Sequence, residues 1–407
     1  MIVRERVALA GYTTLGLGGP AARFLAGSSD EQVVSAVRAA DQRGEPVLVL
    51  GGGSNLVIAD AGFPGTVIRV ATRGIRAARD GDRVAVSVAA GEDWDAVVSW
   101  CVSSGLSGIE CLSGIPGLAG ATPIQNVGAY GQDVAETIVA VRAYDRLRGV
   151  LAELSNADCG FGYRTSAFKR AARPTAGTVG PTGDAAGPTA GVAGAAGGAA
   201  GPSGGAAVAG DATSRFVVLG VTFLLAPDPL SAPVRYGELA RALGAAEGGR
   251  VPLADAREAV LRLRRSKGTV LDPADPDTRS AGSFFTNPVL GQEQLAALEK
   301  TVAAGWGAGV AVPRFAADGG RVKVPAAWLI ERAGFGKGYP GGGQRTADGE
   351  RGLPAARISA KHTLALVNPG GATTSSLLAL AREIRDGVRA TFGVELVSEP
   401  VLVGSRL

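Results

Sequence analysis

Histidine is almost missing from this chain, with His362 the sole example among 407 residues. A metal site built on several imidazoles is therefore impossible, and a Ser-His-Asp hydrolase would have to be assembled around one side chain. Cysteine is nearly as scarce. Cys101, Cys111 and Cys159 are odd in number and have no C-x-x-C spacing, which supports neither a disulfide framework nor a zinc knuckle and fits a reducing compartment. No Lys/Arg block occurs: 41 basic and 37 acidic residues are spread along the chain and leave +4, so nucleic acid is not implied. A mild positive balance still suits a small anionic substrate where a few basic side chains converge. Long apolar runs are also absent. Residues 1–18 lack the apolar centre of a signal peptide, and the longest run, around 216–226, is too short to span a bilayer. A soluble, cytoplasmic protein without membrane insertion is expected.

What the chain does have is apolar residues, at 46%, and 62 glycines. Its length exceeds what one core usually organises, which predicts two or three domains. Many of the glycines fall in 171–214, a tract almost wholly of Ala, Gly, Pro, Thr, Ser and Val with no aromatic, Leu or Ile. Such a tract cannot bury enough surface to offset its ordering entropy, and it reads as a disordered surface insertion between strands.

Periodicity organises the remainder. Apolar Val33, Val34, Val37 and Ala40 at helical spacing predict a helix over 30–43 with an Asp cap, ahead of an apolar strand, a glycine turn and a second strand over 46–60. A strand at 65–70 comes next, so the opening reads β-α-β. Strands are predicted again in RVAVSVAAG, at 138–145, 149–154 and 215–225, and a helix in EDWDAVVSWCVSSG. The intervening 106–131 is punctuated by glycine and proline and reads as a binding loop. From Tyr236 helices take over, ending with one over 373–392, while HTLALVN and the terminal EPVLVG return to strand.

Gly51, Gly52 and Gly53, followed by Ser54 and Asn55, offer closely spaced backbone N–H groups with no side chains in the way, as a pyrophosphate requires. The loop is not a dinucleotide fingerprint, because position 56 is leucine and the next residues are apolar and strand-like rather than helical. It also lacks the Gly-Lys-Ser/Thr ending of a P-loop. A tight hairpin explains three glycines equally well. A second loop of the same character at 114–133 tips the balance toward a large bound cofactor.

Five segments, GGGSNLVI (51–58), IPGLAGATPIQNVGAYG (115–131), FGYRTSAFK (161–169), AGSFFTNP (281–288) and WLIERA (328–333), resemble the UDP-N-acetylenolpyruvoylglucosamine reductase family and stand in its order. The resemblance runs from Tyr12 to Gly404 apart from 171–214. It implies an α+β fold of the FAD-binding type found in the vanillyl-alcohol oxidase group, with two α/β FAD subdomains and a smaller α+β substrate domain. On that pattern 1–70 forms the first FAD subdomain, joined by the tail 393–407; 71–235 forms the second, carrying the insertion; and 236–392 forms the UDP-sugar domain. It implies FAD as cofactor, NADPH as reductant and UDP-N-acetylglucosamine enolpyruvate as substrate, in peptidoglycan precursor synthesis, by a monomer. With no histidine in the cofactor half, the FAD is expected to be non-covalent.

The resemblance also assigns residues. Arg164 in FGYRTS falls at the family's intermediate-stabilising arginine, and a permanent cation suits a developing carboxylate dianion. Ser283 in AGSFFTNP falls at its proton donor, a role a hydroxyl can fill only in a closed site. Glu399 aligns with a near-terminal glutamate whose pKa should be raised if it sits beside the substrate carboxylate; Glu395 is the competing position. Cofactor contacts are implied for Gly51, Gly52, Gly53, Ser54, Asn55, Ile115, Pro116, Gly117, Gly120, Thr122, Asn126, Gly128 and Arg264, although RLRRSK also reads as the basic end of a helix. Substrate contacts are implied for Gln125, Tyr163, Tyr236, Lys267 and Asn287, with Lys267 a point charge for the diphosphate and Tyr236 marking the subtype with an extra substrate-covering loop. No metal is implied, and a structural or surface place is expected for His362. The rivals are a same-fold oxidase of another small substrate, a non-catalytic UDP-sugar binder, and a serine hydrolase that needs His362 beside Ser283.

Overall fold

The computed structural model describes residues 1–170, 214–340 and 356–407. The expected disordered tract 171–214 lies outside them except for Ser214, and the glycine-rich 338–354 loop except for its first three residues.

Four strands form the first sheet, in the order Arg4–Ala8, Pro20–Gly27, Phe63–Val70 and Val47–Leu50; the first pair is antiparallel and the others are parallel. The helix Asp30–Gln42 makes the crossover and buries Val33, Val34, Val37 and Ala40, the stripe its 3.6-residue period requires. Its cap is Ser29, whose hydroxyl accepts from Gln32 N, rather than Asp30. Asp30 and Glu31 sit instead in the first turn, where the helix dipole favours negative charge. The two apolar segments around the triglycine do not pair with each other. Leu56–Ile58 runs parallel to Val401–Val403, which is how the chain terminus returns to this half.

The second sheet is antiparallel, in the order Val150–Ser155, Ile138–Asp145, Phe216–Pro227, Arg83–Ala89 and Ile75–Asp80, with Leu106–Ser107 joined to the far end of Phe216–Pro227. The central strand Phe216–Pro227 is buried over most of its length, and the helix Trp94–Ser103 packs into the same core through Trp94, Val97, Val98 and Cys101. Each such side chain contributes about 1.5–3 kcal/mol on full burial.

A third core gathers residues 281–396 together with Leu15, Leu17 and Val57. Its largest piece is the helix Thr374–Phe392, opened by a Thr373/Ser376 capping box and closed by Gly393 in the left-handed conformation (φ 67°). Asp60 ties this helix to the segment after the Leu56–Ile58 strand by accepting from Thr374 N at 2.7 Å and Ser375 N at 2.9 Å. The helices Gly237–Leu243 and Leu253–Ser266 form a small cluster of their own against Cys111 and Tyr130. Among the described residues, no helix is long and apolar enough to cross a membrane.

Candidate active site

The two glycine loops meet backbone to backbone. A Cβ on Gly52 would lie 2.8 Å from Gly117 Cα, and one on Gly117 (φ +127°) would lie 2.7 Å from Ser54 Oγ. Gly53 (φ +61°) is tighter still, its Cβ falling 2.0 Å from the Tyr12 carbonyl oxygen. These are close approaches that only glycine permits, and they bring segments about sixty positions apart to the edge of one cavity.

That cavity encloses about 810 Å³ and is lined by Ser54, Asn55, Ile115, Pro116, Gly117, Thr122, Gln125, Gly128, Arg164, Arg264, Ser283 and Glu399. A second, of about 960 Å³, is lined by Tyr130, Tyr236, Lys267 and His362, and it shares Pro116, Gly128, Arg164, Arg264, Gly282 and Ser283 with the first. Arg164 and Ser283 therefore face both spaces. Gly51 and Gly52 line a recess of about 550 Å³ beside Tyr12, Thr14 and Arg69.

Gly120, Asn126, Asn287 and Tyr163, also assigned from the sequence, line neither of the two larger cavities. A Cβ on Gly120 would meet Ala90 Cβ at 2.5 Å, so this glycine serves loop packing. Asn126 donates to Gly162 O at 3.0 Å and accepts from Ala135 N, clamping the Arg164 loop onto the second glycine loop. Asn287 Oδ1 accepts from Ala326 N. Tyr163 is largely exposed, with Lys323 Nζ 4.4 Å from its ring centroid.

Arg164 is held from three sides. Its Nη1 and Nη2 donate to Asn126 O (3.3 Å) and Gly128 O (2.7 Å), Nε lies 3.3 Å from Glu399 Oε1, and Nη1 lies 3.9 Å from Asp133 Oδ1. Its backbone is left-handed (φ 52°), as are those of Asn126 (44°) and Tyr130 (49°) in the facing loops. Such conformations cost about 1–3 kcal/mol each and persist where the surroundings over-determine them. Burial pushes the Glu399 carboxyl above its ordinary range, against the opposing charges of Arg164 and Lys169, the direction expected of a glutamate beside a substrate carboxylate. Glu399 N donates to Phe284 O, which fixes the carboxylate next to the Ser283 segment. Glu395 lines neither cavity.

Arg264 donates to Thr269 O at 2.9 Å, but its Nε is shielded from solvent with no partner. Burial pulls its pKa down to about 10. A cation held this way is costly without an anionic or acceptor-rich ligand. The two close-packed glycine loops, the orphaned Nε and the cavity they adjoin together suit a cofactor with a pyrophosphate and a heteroaromatic ring such as FAD.

His362 is neither in a core nor fully exposed. It is half-buried in the wall of the second cavity with Lys267 and Ser283, because Ser283 pairs in register with Ala365 three residues further on. Burial, then the charges of Lys267 and Lys337, lower its pKa from the ordinary value. Among the described residues no hydrogen bond links it to Ser283, which leaves the hydrolase rival without a nucleophile–base pair. Sequence reasoning also passed over Asp133, Glu238 and Tyr130. The two tyrosine rings, Tyr130 and Tyr236, meet edge to face at 5.5 Å, and the GAYG run was the one available hint.

A pair of sheet-bearing subdomains with a glycine-walled cavity between loops, outside any Rossmann pattern, defines a flavin-binding protein, and an FAD binding domain family matches residues 21–155. The UDP-N-acetylenolpyruvoylglucosamine reductase C-terminal domain family matches 273–403. UDP-N-acetylenolpyruvoylglucosamine reductase of Thermobifida fusca is 51% identical over 404 residues, covering 99% of this chain and 98% of its own. The enzyme of that name from Streptomyces coelicolor is 52% identical, covering 98% of this chain and 90% of its own. With such likeness along its whole length, the chain belongs to the UDP-N-acetylenolpyruvoylglucosamine reductase family. The crystal structure of the Thermus caldophilus reductase superposes with a TM-score of 0.57 at 23% identity, covering 99% of this chain and all of that one, and the fold is the α+β FAD-binding type that the motifs implied.

Proposed function

We propose that the protein is the FAD-dependent, NADPH-driven reductase that converts UDP-N-acetylglucosamine enolpyruvate to UDP-N-acetylmuramate in peptidoglycan precursor synthesis. The observation that carries this reading is that Arg164 and Ser283 line both of two adjoining cavities, one walled by the glycine loops and the other by Tyr236 and Lys267. When bound, FAD would supply the hydride chemistry that links NADPH to the methylene carbon of the enolpyruvyl group. The glycine loops, Ser54, Asn55, Thr122 and Arg264 are the residues to hold it.

The chain's own residues manage charge and proton. Two of the five Arg164 donors bond Asn126 O and Gly128 O, and Nε faces Glu399 in ion-pair range, which leaves a second hydrogen on each terminal nitrogen for the substrate carboxylate. The guanidinium is thus preorganised for the negative charge that builds on the carboxylate-bearing carbon, with no reorganisation at the moment of reaction. Ser283 Oγ supplies the proton to that carbon, completing addition of a hydride and a proton across the double bond. Glu399, whose pKa burial raises, lies against Arg164, and that positive charge offsets the repulsion between its carboxylate and the substrate's. Lys267 faces the diphosphate, and Tyr236, Tyr163, Gln125 and Asn287 surround the sugar nucleotide. In this reading the enzyme is a cytoplasmic monomer, 1–70 and 71–235 hold the flavin, and 236–392 closes over the substrate.

The purified protein is expected to be yellow and to release intact FAD on denaturation. In stopped flow, NADPH should bleach the chromophore and the enolpyruvyl sugar should restore it. A preparation that cannot be reconstituted with FAD, or one whose flavin is reduced by a small alcohol and re-oxidised by oxygen but not by the sugar, would overturn the reading.

A further inference from the structure

The side chain meant for the diphosphate is already spoken for. Lys267 Nζ donates to Glu238 Oε2 at 2.6 Å, with both side chains about one-third exposed (32% and 33%), and it stands 5.6 Å from the centroid of the Tyr130 ring. Lys267 closes the C-terminus of the helix Leu253–Ser266, and Glu238 lies in the first turn of Gly237–Leu243 directly after Tyr236. The pair therefore stitches two helices together at the rim of the second cavity. Tyr130 is fixed in turn by the edge-to-face contact with Tyr236 and by its left-handed backbone.

A lysine on a four-carbon stem loses much rotamer entropy on binding a ligand unless something else already holds it. A carboxylate on one side and an aromatic face on the other do so here, and the ammonium keeps two of its three donors for another partner. From this geometry we propose that Glu238 is a positioning residue, which holds the Lys267 ammonium over Tyr130 so that it meets the diphosphate of the UDP-sugar without reorganising. The proposal rests on the reading of Lys267 as the diphosphate contact. Glu238 does not itself touch the substrate; it acts through Lys267, and its negative charge is the cost of that preorganisation.

The test uses the flavin-loaded enzyme and four variants, Glu238→Gln, Glu238→Asp, Lys267→Met and the Glu238→Gln/Lys267→Met pair. Glu238→Gln is expected to raise KM for the enolpyruvyl sugar about tenfold, the equivalent of one charge-assisted hydrogen bond, with kcat within about twofold. Glu238→Asp should recover most of the loss. On the Lys267→Met background the Glu238 substitution should add less than about twofold, because its effect runs through the ammonium. An unchanged or lowered KM in Glu238→Gln, or an effect that persists without Lys267, overturns the proposal and leaves the proposed reaction standing. An unchanged KM in Lys267→Met removes the diphosphate role of Lys267 and the proposal with it. Should Glu238→Gln fail to fold, the Glu238→Asp and Lys267→Met measurements decide, since a positional role predicts a graded KM shift in the first and a larger one in the second.

Discussion

Replacing Arg264 by Met should make the protein without its flavin more stable and the flavin more weakly held. The guanidinium Nε is shielded and unpartnered while Nη2 makes one bond, to Thr269 O. An unsatisfied buried donor costs about 1–3 kcal/mol, and burying the charge adds to that. Methionine keeps most of the stem packing and forfeits one charged bond, itself about 1.5–3 kcal/mol, to a partly exposed loop carbonyl that water can serve. The net expectation is a gain of about 1–2 kcal/mol in the deflavinated protein, seen as a melting temperature about 1–3 °C higher. In the loaded protein the sign reverses: losing one or two charge-assisted contacts to the cofactor should weaken FAD by about 10- to 100-fold. Differential scanning fluorimetry of the deflavinated protein and titration of FAD by quenching of its fluorescence measure the two effects separately. A variant that melts lower without flavin, yet binds FAD as the parent does, would refute the reasoning, because Arg264 would then be a structural cation whose donors the fold already satisfies.

Ser283→Ala should preserve bleaching of the flavin by NADPH but slow its re-oxidation by the enolpyruvyl sugar about 10²- to 10⁴-fold; equal rates in both half-reactions would exclude Ser283 as proton donor. Gly53→Ala should fail to hold FAD and unfold at lower temperature, since its Cβ would sit 2.0 Å from a backbone carbonyl at φ +61°, and wild-type flavin content would contradict the cradle. Burial raises the Asp95 pKa, but bonds from Arg257 (2.7 Å) and Gly114 N (2.6 Å) outweigh it and leave the pKa below 3.8. The stability this carboxylate contributes is therefore full above its unfolded pKa and lost as pH falls through the lower folded one, so Asp95→Asn should destabilise at pH 7 and matter less at a pH below the folded pKa. A destabilisation that is equal at both pH values in urea melts would show that the charge is irrelevant.

Much of this protein was determined by its sequence alone. The stripe Val33, Val34, Val37 and Ala40 could bury only as a helix, the alternating and continuous apolar runs could pair only as strands, and leucine at 56 with strand residues beyond it excluded a Rossmann turn. Local chemistry decides such features, because periodicity and the absence of a Cβ act over a few residues. The same locality explains the strands that went unread, such as Ser280–Ser283, whose partner Ala365–Val367 is distant in sequence, and Val322–Lys323, which is only two residues long. Tertiary structure alone decided that Leu56–Ile58 pairs with the chain terminus, which carries Glu399 to the Arg164 guanidinium. It also put His362 into the second cavity through the register of Ser283 on Ala365, and set Glu238 against Lys267 across two helices. Those contacts join residues up to hundreds of positions apart, and their energies depend on distance and burial, quantities that a linear order of side chains does not contain.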